Sequence, residues 1–304
     1  MDREIRAWLD AGADATPLCA LDATTARRVM AQAFATWWGP VTMLPTVANL
    51  AVPTPEGDVP VRLYRPRDGV LPAIVYFHGG GWVIGDVDTH DGLCRQLSYD
   101  AQAVVVSVDY RRAPEHPFPA AVDDCAAAAS WVLSNAAQLE IEPSRVSVAG
   151  DSAGGNLAAV TSQRLLADGR RIASQALAYP VTDSDLDTGS YRRCGEGFGL
   201  TAADMRWYFD QYAPPGVDRS HPELSPLRSA DLSGLPPTYI ATCELDPLRD
   251  EGLAYAERLR AAAVRVVADD RMGMVHGYLC LRAVTPAADE LRAKIVGFLT
   301  QTWQ

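Results

Sequence analysis

Along the middle and end of the chain, apolar residues fall into short, nearly unbroken runs separated by longer stretches of helix formers. The runs Val61–Tyr64, Ala73–Phe77, Val104–Asp109, Val146–Gly150, Ala176–Tyr179, Thr238–Cys243 and Val264–Val267 read as strands. Unbroken rather than alternating apolarity is what a strand covered on both faces requires. Between them, Pro119–Leu139, Ala153–Ala167, Asp250–Ala263 and Pro286–Thr300 read as helices. This alternation predicts an α/β fold with a mostly parallel central sheet flanked by helices. No internal repeat or low-complexity linker interrupts it.

Two segments stand outside the alternation. Residues 1 to about 45 read as two helices, the second over Ala23–Trp38, with Ala26, Met30, Phe34, Trp37 and Trp38 near one face at spacings of three and four. Residues Asp183–Asp218 are rich in Gly, Asp and Arg, and their later half gathers Leu200, Met205, Trp207, Tyr208, Phe209 and Tyr212. Periodicity alone fits ordinary surface packing or a lid built from two separate parts of the chain.

At 304 residues, with 48% hydrophobic and 21% charged content, the chain has enough apolar material for a sizeable core. A net charge of −11 argues against a nucleic-acid surface and against a polybasic membrane patch. Lys294 is the only lysine, a coding bias rather than a clue to mechanism. No apolar run reaches membrane-span length, and the start, Met1-Asp2-Arg3-Glu4-Ile5-Arg6, carries charge where a signal peptide needs an apolar core. Six scattered cysteines lack metal or disulfide-framework spacing, so the expectation is reduced, packing cysteines in a cytoplasmic protein.

Directly behind the strand ending at Phe77 comes His78-Gly79-Gly80-Gly81-Trp82. Each glycine gives up roughly 0.5–1 kcal/mol relative to alanine in regular structure. Three in a row therefore suggest either a flexible turn or a loop whose N–H groups must approach another molecule. A second feature decides between them. After Val146–Ala149 stands Gly150-Asp151-Ser152-Ala153-Gly154, followed at once by a helix, which is G-x-S-x-G in the strand–turn–helix setting of a nucleophile elbow. The serine then sits at a helix N-terminus, whose free N–H groups favour developing negative charge.

A serine hydroxyl needs a base beside it. Of the five histidines, His78, His90, His116 and His221 precede or lie away from any suitable acid, whereas His276 follows the last predicted strand. The order Ser…Asp/Glu…His then selects Asp246, at the end of a strand and stiffened by Pro247. Asp250 and Glu251 are rivals that read as helix N-terminal residues, and Asp269 and Asp270 are weaker ones. The glycine run supplies the missing part: Gly80 and Gly81, with the amide of Ala153, are the expected oxyanion donors.

The segments His78–Asp86, Asp109–Asp124, Gly150–Ala159, Asp246–Gly252 and Val275–Tyr278 (HGGGWVIGD, DYRRAPEHPFPAAVDD, GDSAGGNLAA, DPLRDEG, VHGY) together resemble the bacterial hormone-sensitive-lipase family of α/β-hydrolase esterases. The resemblance implies Ser152, Asp246 and His276 as triad and HGGG as oxyanion loop. It also implies a helical cap from residues 1–45 and 183–220 over a core of 46–182 and 221–304. Arg112 stands where the family usually has an apolar residue, and Arg111 and Glu115 are expected in a structural network.

The expected activity is that of a serine carboxylesterase on small-molecule esters with short to medium acyl chains, requiring no metal or organic cofactor. Phe34, Trp37, Trp82, Met205 and Phe209 are candidate substrate contacts. The sequence leaves oligomeric state open, a homodimer included. Alternative readings are a non-catalytic receptor on the same fold, as in a plant hormone receptor branch that lacks the triad histidine, and an amidase or peptidase.

Overall fold

The computed structural model describes residues 1–304. Its sheet is built from β1 (Thr46–Val52), β2 (Val59–Arg65), β3 (Leu71–Phe77), β4 (Val104–Val108), β5 (Ile141–Asp151), β6 (Ser174–Ala178), β7 (Thr238–Leu245) and β8 (Val266–Val275). They lie in the order β1-β2-β4-β3-β5-β6-β7-β8. The β1–β2 and β2–β4 pairs are antiparallel, and every pair from β4 to β8 is parallel. The mostly parallel sheet is therefore as expected.

Alternate residues of the central strands feed opposite cores, as the period of two demands. Ala73, Val75 and Phe77 of β3 join a 50-residue cluster, whereas Ile74 and Tyr76 join a 30-residue cluster on the other face. The larger cluster is roofed by α4 (Ala120–Ser134), α5 (Ala153–Ala167) and α8 (Arg249–Ala261). The smaller one is covered by α3 (Asp91–Ala101) and α9 (Ala287–Thr302). No helix is long and apolar enough to cross a membrane.

The segments outside the alternation form α1 (Arg3–Ala11) and α2 (Ala23–Trp38), then α6 (Gly189–Cys194) and α7 (Ala202–Tyr212). Helix α2 is pinned to the sheet side through Arg27. That side chain donates to the Val83 carbonyl (2.8 Å), to the Ala113 carbonyl (2.7 Å) and, with two nitrogens, to Glu115. Arg111 grips the buried Asp124 in the same way. The network expected around Arg111 and Glu115 is present, and Arg112 reaches the Gly85 carbonyl.

Several elements differ from the sequence reading. β1 and α3 carry no expectation there. β8 extends to Val275 instead of ending at Val267, because as an edge strand it tolerates Asp269, Asp270 and Gly273 on a half-exposed ribbon. Helix α4 stops at Ser134 rather than Leu139, and the turn that follows places Glu140 at φ 47° before β5 begins.

Candidate active site

Four parallel strands deliver the candidate residues from their carboxyl ends, the edge at which open α/β sheets present ligands. Phe77 and Gly150 are register partners, so the glycine loop leaves β3 beside the elbow that leaves β5. Leu245 and Val275 are also partners, so Asp246 and His276 emerge as neighbours from β7 and β8. Asp151 pairs with Ala178, which places Tyr179 beside Ser152. From β5 to β8 there are three strand spacings, roughly 14 Å. His276 must therefore fold back over the sheet, and Gly277, left-handed at φ 80°, follows it in that turn. The Tyr179 ring fills the space between, its centroid 4.8 Å from the imidazole at 60°.

The elbow is strained. Ser152 holds φ 56° and ψ −121°, a backbone state that costs a non-glycine residue about 1–3 kcal/mol. It can do so only because strand and helix approach so closely here. A Cβ on Gly150 would overlap the Gly154 carbonyl, and one on Gly154 would overlap the Phe77 carbonyl. The Ser152 hydroxyl donates to His276 Nε2 at 2.8 Å. In turn His276 Nδ1–H donates to Asp246 Oδ2 at 2.8 Å, an assignment of protons that the hydrogen-bond pattern dictates. Asp246 is fully buried, and its other oxygen accepts from the Leu248 amide at 2.9 Å.

The glycine loop is clamped from below. His78 stacks on Tyr110 with ring centroids 4.2 Å apart, and the Tyr110 hydroxyl donates to the His78 carbonyl at 2.8 Å. Burial, helped by the nearby His90, pushes the His78 imidazole down to about 3, so it stays neutral. Asp151 Oδ1 accepts from the Gly79 amide (3.0 Å) and the Tyr76 hydroxyl (2.6 Å), with His90 Nε2 at 3.4 Å. Burial acts to raise the Asp151 carboxyl, but His90 and the Tyr76 hydroxyl outweigh it and hold the group below its ordinary range. Cys280 completes this buried cluster, 3.8 Å from His90. Two hydrogen bonds and the His90 ring already converge on Asp151 Oδ1, which accounts for the arrangement. The N–H groups of Gly80 and Gly81 have no acceptor within the chain, and Ala153 opens α5, where no intrahelical acceptor exists.

Among the rival acids, Asp270 is held by Arg249 and Thr242, and Asp269 by Lys294 and Tyr239. Asp250 and Glu251 lie in the first turn of α8, as expected, and neither contacts His276. The candidate substrate contacts divide into two groups. Phe34 and Trp37 are half-buried and pack on each other, with Phe34 against His90 and Trp37 against Trp8. Trp82, Met205 and Phe209 are buried in the interior. The cause is aromatic stacking: Trp82 lies flat on Tyr212 (4.3 Å, 8°) with Phe209 alongside. Sequence reasoning missed Tyr76, Tyr110, Tyr179 and the supporting role of Asp151. Only Asp151, adjacent to Ser152, carried a local signal.

A family model described as alpha/beta hydrolase fold matches residues 74–280. Carboxylesterase NlhH of Mycobacterium tuberculosis is 49% identical over 246 residues, covering 77% of this chain and 75% of its own. The chain belongs to the bacterial hormone-sensitive-lipase-type esterases of the α/β-hydrolase fold. This esterase is also 38% identical to the ethyl acetate hydrolase of Pseudomonas putida, over 94% of this chain and 92% of that one. The solved hyperthermophilic esterase of Pyrobaculum calidifontis superposes on it with a TM-score of 0.94 at 38% identity, covering 99% and 98% of the two chains. The esterase is accordingly a carboxylic ester hydrolase acting on small-molecule esters.

Proposed function

We propose that Ser152 is the nucleophile, His276 the general base and acid, and Asp246 the carboxylate that orients it. The observation that carries this reading is the unbroken chain Ser152 Oγ–His276 Nε2–Asp246 Oδ2, with both links at 2.8 Å. Ser152 Oγ attacks the ester carbonyl carbon while its proton passes to His276 Nε2. The carbonyl oxygen takes the negative charge and is held by the amides of Gly80, Gly81 and Ala153. On collapse, the C–O bond to the alcohol breaks and His276 returns the proton to the departing oxygen. Water, deprotonated by the same imidazole, then attacks the acyl-enzyme, and the acid leaves as Ser152 regains its proton.

Each oxyanion donor is worth about 10²–10³ in rate. That is roughly 3–4 kcal/mol of transition-state binding, enough to offset the conformational cost of the glycines.

We assign a preference for short to medium acyl chains. The relative named ethyl acetate hydrolase, which aligns over nearly the whole chain, supports it. Residues 1–45 and 183–220 act in this reading as the cap, with Phe34 and Trp37 closest to substrate. The contact of Tyr208 with Gly81 and of Phe34 with His90 supports that role. The six unpaired cysteines support a reducing, cytoplasmic setting. The exposed Val267 and Met272 on edge strand β8 support a homodimer contact there.

A p-nitrophenyl ester series from acetate to laurate, run beside Ser152→Ala, tests the assignment. The expected result is highest kcat/KM on the shorter acyl chains and loss of turnover in the variant by several orders of magnitude. Undiminished turnover by Ser152→Ala would refute the nucleophile, and a laurate optimum would refute the chain-length preference.

A further inference from the structure

Helix α6, from the segment between β6 and β7, is bonded to the turn that carries Asp246. Ser190, fully buried in its first turn, donates through Oγ to the Pro247 carbonyl at 2.6 Å. Its backbone N–H donates to Asp250 Oδ2 at 2.7 Å, and its Oγ accepts from the Asp250 amide at 3.1 Å. Three hydrogen bonds thus join one serine to residues 247 and 250. A Cβ on Gly189 would lie 2.8 Å from Asp250 Oδ2, so the glycine permits the close approach. On the other side of the acid, Cys194 at the end of α6 points its thiol at the Glu244 carbonyl, 3.7 Å away.

The turn is also tied to β8 by the Arg249–Asp270 ion pair. Asp246 accepts from the amides of Leu248 and Arg249, both within the same turn. Contacts inside a turn set its local shape but not where it sits relative to the His276 ring. Beside the β7–β8 register and that ion pair, the bonds from α6 supply a further external reference, and Asp250 transmits it from the start of α8. In sequence Asp250 looked like a competitor for the acid role, and its position gives it another one.

We propose that Ser190 and Asp250 are positioning residues that lock Asp246 against His276, so that docking of α6 is a condition for a competent triad. This rests on the assignment of Asp246 as the triad acid. Ser190 is fully buried and neither residue bonds Ser152 or the glycine loop, so their loss should lower kcat rather than raise KM. A carboxylate displaced by a fraction of an ångström no longer holds the imidazole in line with the serine, and misplacements of about 1 Å cost on the order of 10²-fold.

The test is steady-state hydrolysis of p-nitrophenyl butyrate by wild type, Ser190→Ala, Asp250→Ala, Asp250→Asn, the Ser190→Ala/Asp250→Ala double variant and Ser152→Ala, each with a thermal melt. We expect Ser190→Ala and Asp250→Ala to lower kcat by about tenfold or more with KM within about twofold. The double variant should lose less than the product of the two single losses, because both cut one linkage. Asp250→Asn keeps an oxygen acceptor for the Ser190 amide and should stay close to wild type. Wild-type kcat in both alanine variants, a loss confined to KM, or an Asp250→Asn defect equal to that of Asp250→Ala would overturn the coupling. Ser152→Ala separates the two levels. If it is inert while Ser190→Ala is unimpaired, only the coupling falls, and if it turns over, the triad reading falls and the coupling with it.

Discussion

Gly81 lies flush against the ring of Tyr208, and a methyl group added to that glycine would overlap three atoms of the ring. The glycine loop and helix α7 therefore meet through a position where no side chain fits. Gly81 also holds φ 59°, a region that side chains rarely adopt, so two independent constraints fall on one residue.

Gly81→Ala is expected to lower kcat by about 10²–10³, the effect of moving one oxyanion donor. Adding Tyr208→Ala removes the overlap but not the backbone strain, so the double variant should recover only part of the loss. Steady-state kinetics of the pair measures this, and full recovery would mean that the left-handed backbone is not required.

Asp246→Asn should cost about 10⁴ in kcat with the fold intact, because the amide no longer fixes the imidazole tautomer. Asp270→Asn, whose carboxylate serves Arg249 and Thr242, should leave kcat near wild type and lower the melting temperature instead. Comparing the two variants by kinetics and thermal melts checks the choice of acid.

Glu251 gives a pH prediction for stability. It is buried, and one oxygen accepts from the amides of Thr182 (2.7 Å) and Asp183 (3.2 Å). Burial, with Asp183 and Asp246 nearby, holds its carboxyl well above the ordinary range. A raised folded-state value means that the folded state favours the protonated form. The resulting stability is fully present below the unfolded value of 4.5 and is lost as pH rises through the folded one. Glu251→Gln mimics the protonated form, so its melting temperature should match wild type near pH 4 and exceed it increasingly toward pH 8. A pH-independent difference between the two proteins would contradict this.

Much of the site could be read along the chain because its parts follow strand ends. Phe77, Asp151, Leu245 and Val275 each close a strand, and the residue after each is His78, Ser152, Asp246 or His276. The elements that escaped notice lack that clarity. β1 is a half-exposed edge strand with Val52 its one buried residue, and α3 begins Asp-Gly and carries five polar residues in its eleven. β8 hides its true length behind acids and a glycine that only an edge position allows. The supporting contacts were illegible for a different reason. Tyr76 meets Asp151 across 75 residues and Ser190 meets Asp250 across 60, and neither pair has a local spacing to betray it. The enclosure of Trp82 likewise depends on Tyr212, which only the folded chain brings alongside.

The central claim is that the hydroxyl held by His276 forms the covalent bond to the acyl group. Its most direct test is to inactivate the esterase with diethyl p-nitrophenyl phosphate, titrate the p-nitrophenol released, and map the adduct by peptide mass spectrometry. One diethylphosphoryl group per chain on the peptide containing Ser152, with activity lost in proportion and no adduct on Ser152→Ala, is the predicted result. A stoichiometric adduct on another residue, or equal labelling of Ser152→Ala, would contradict it.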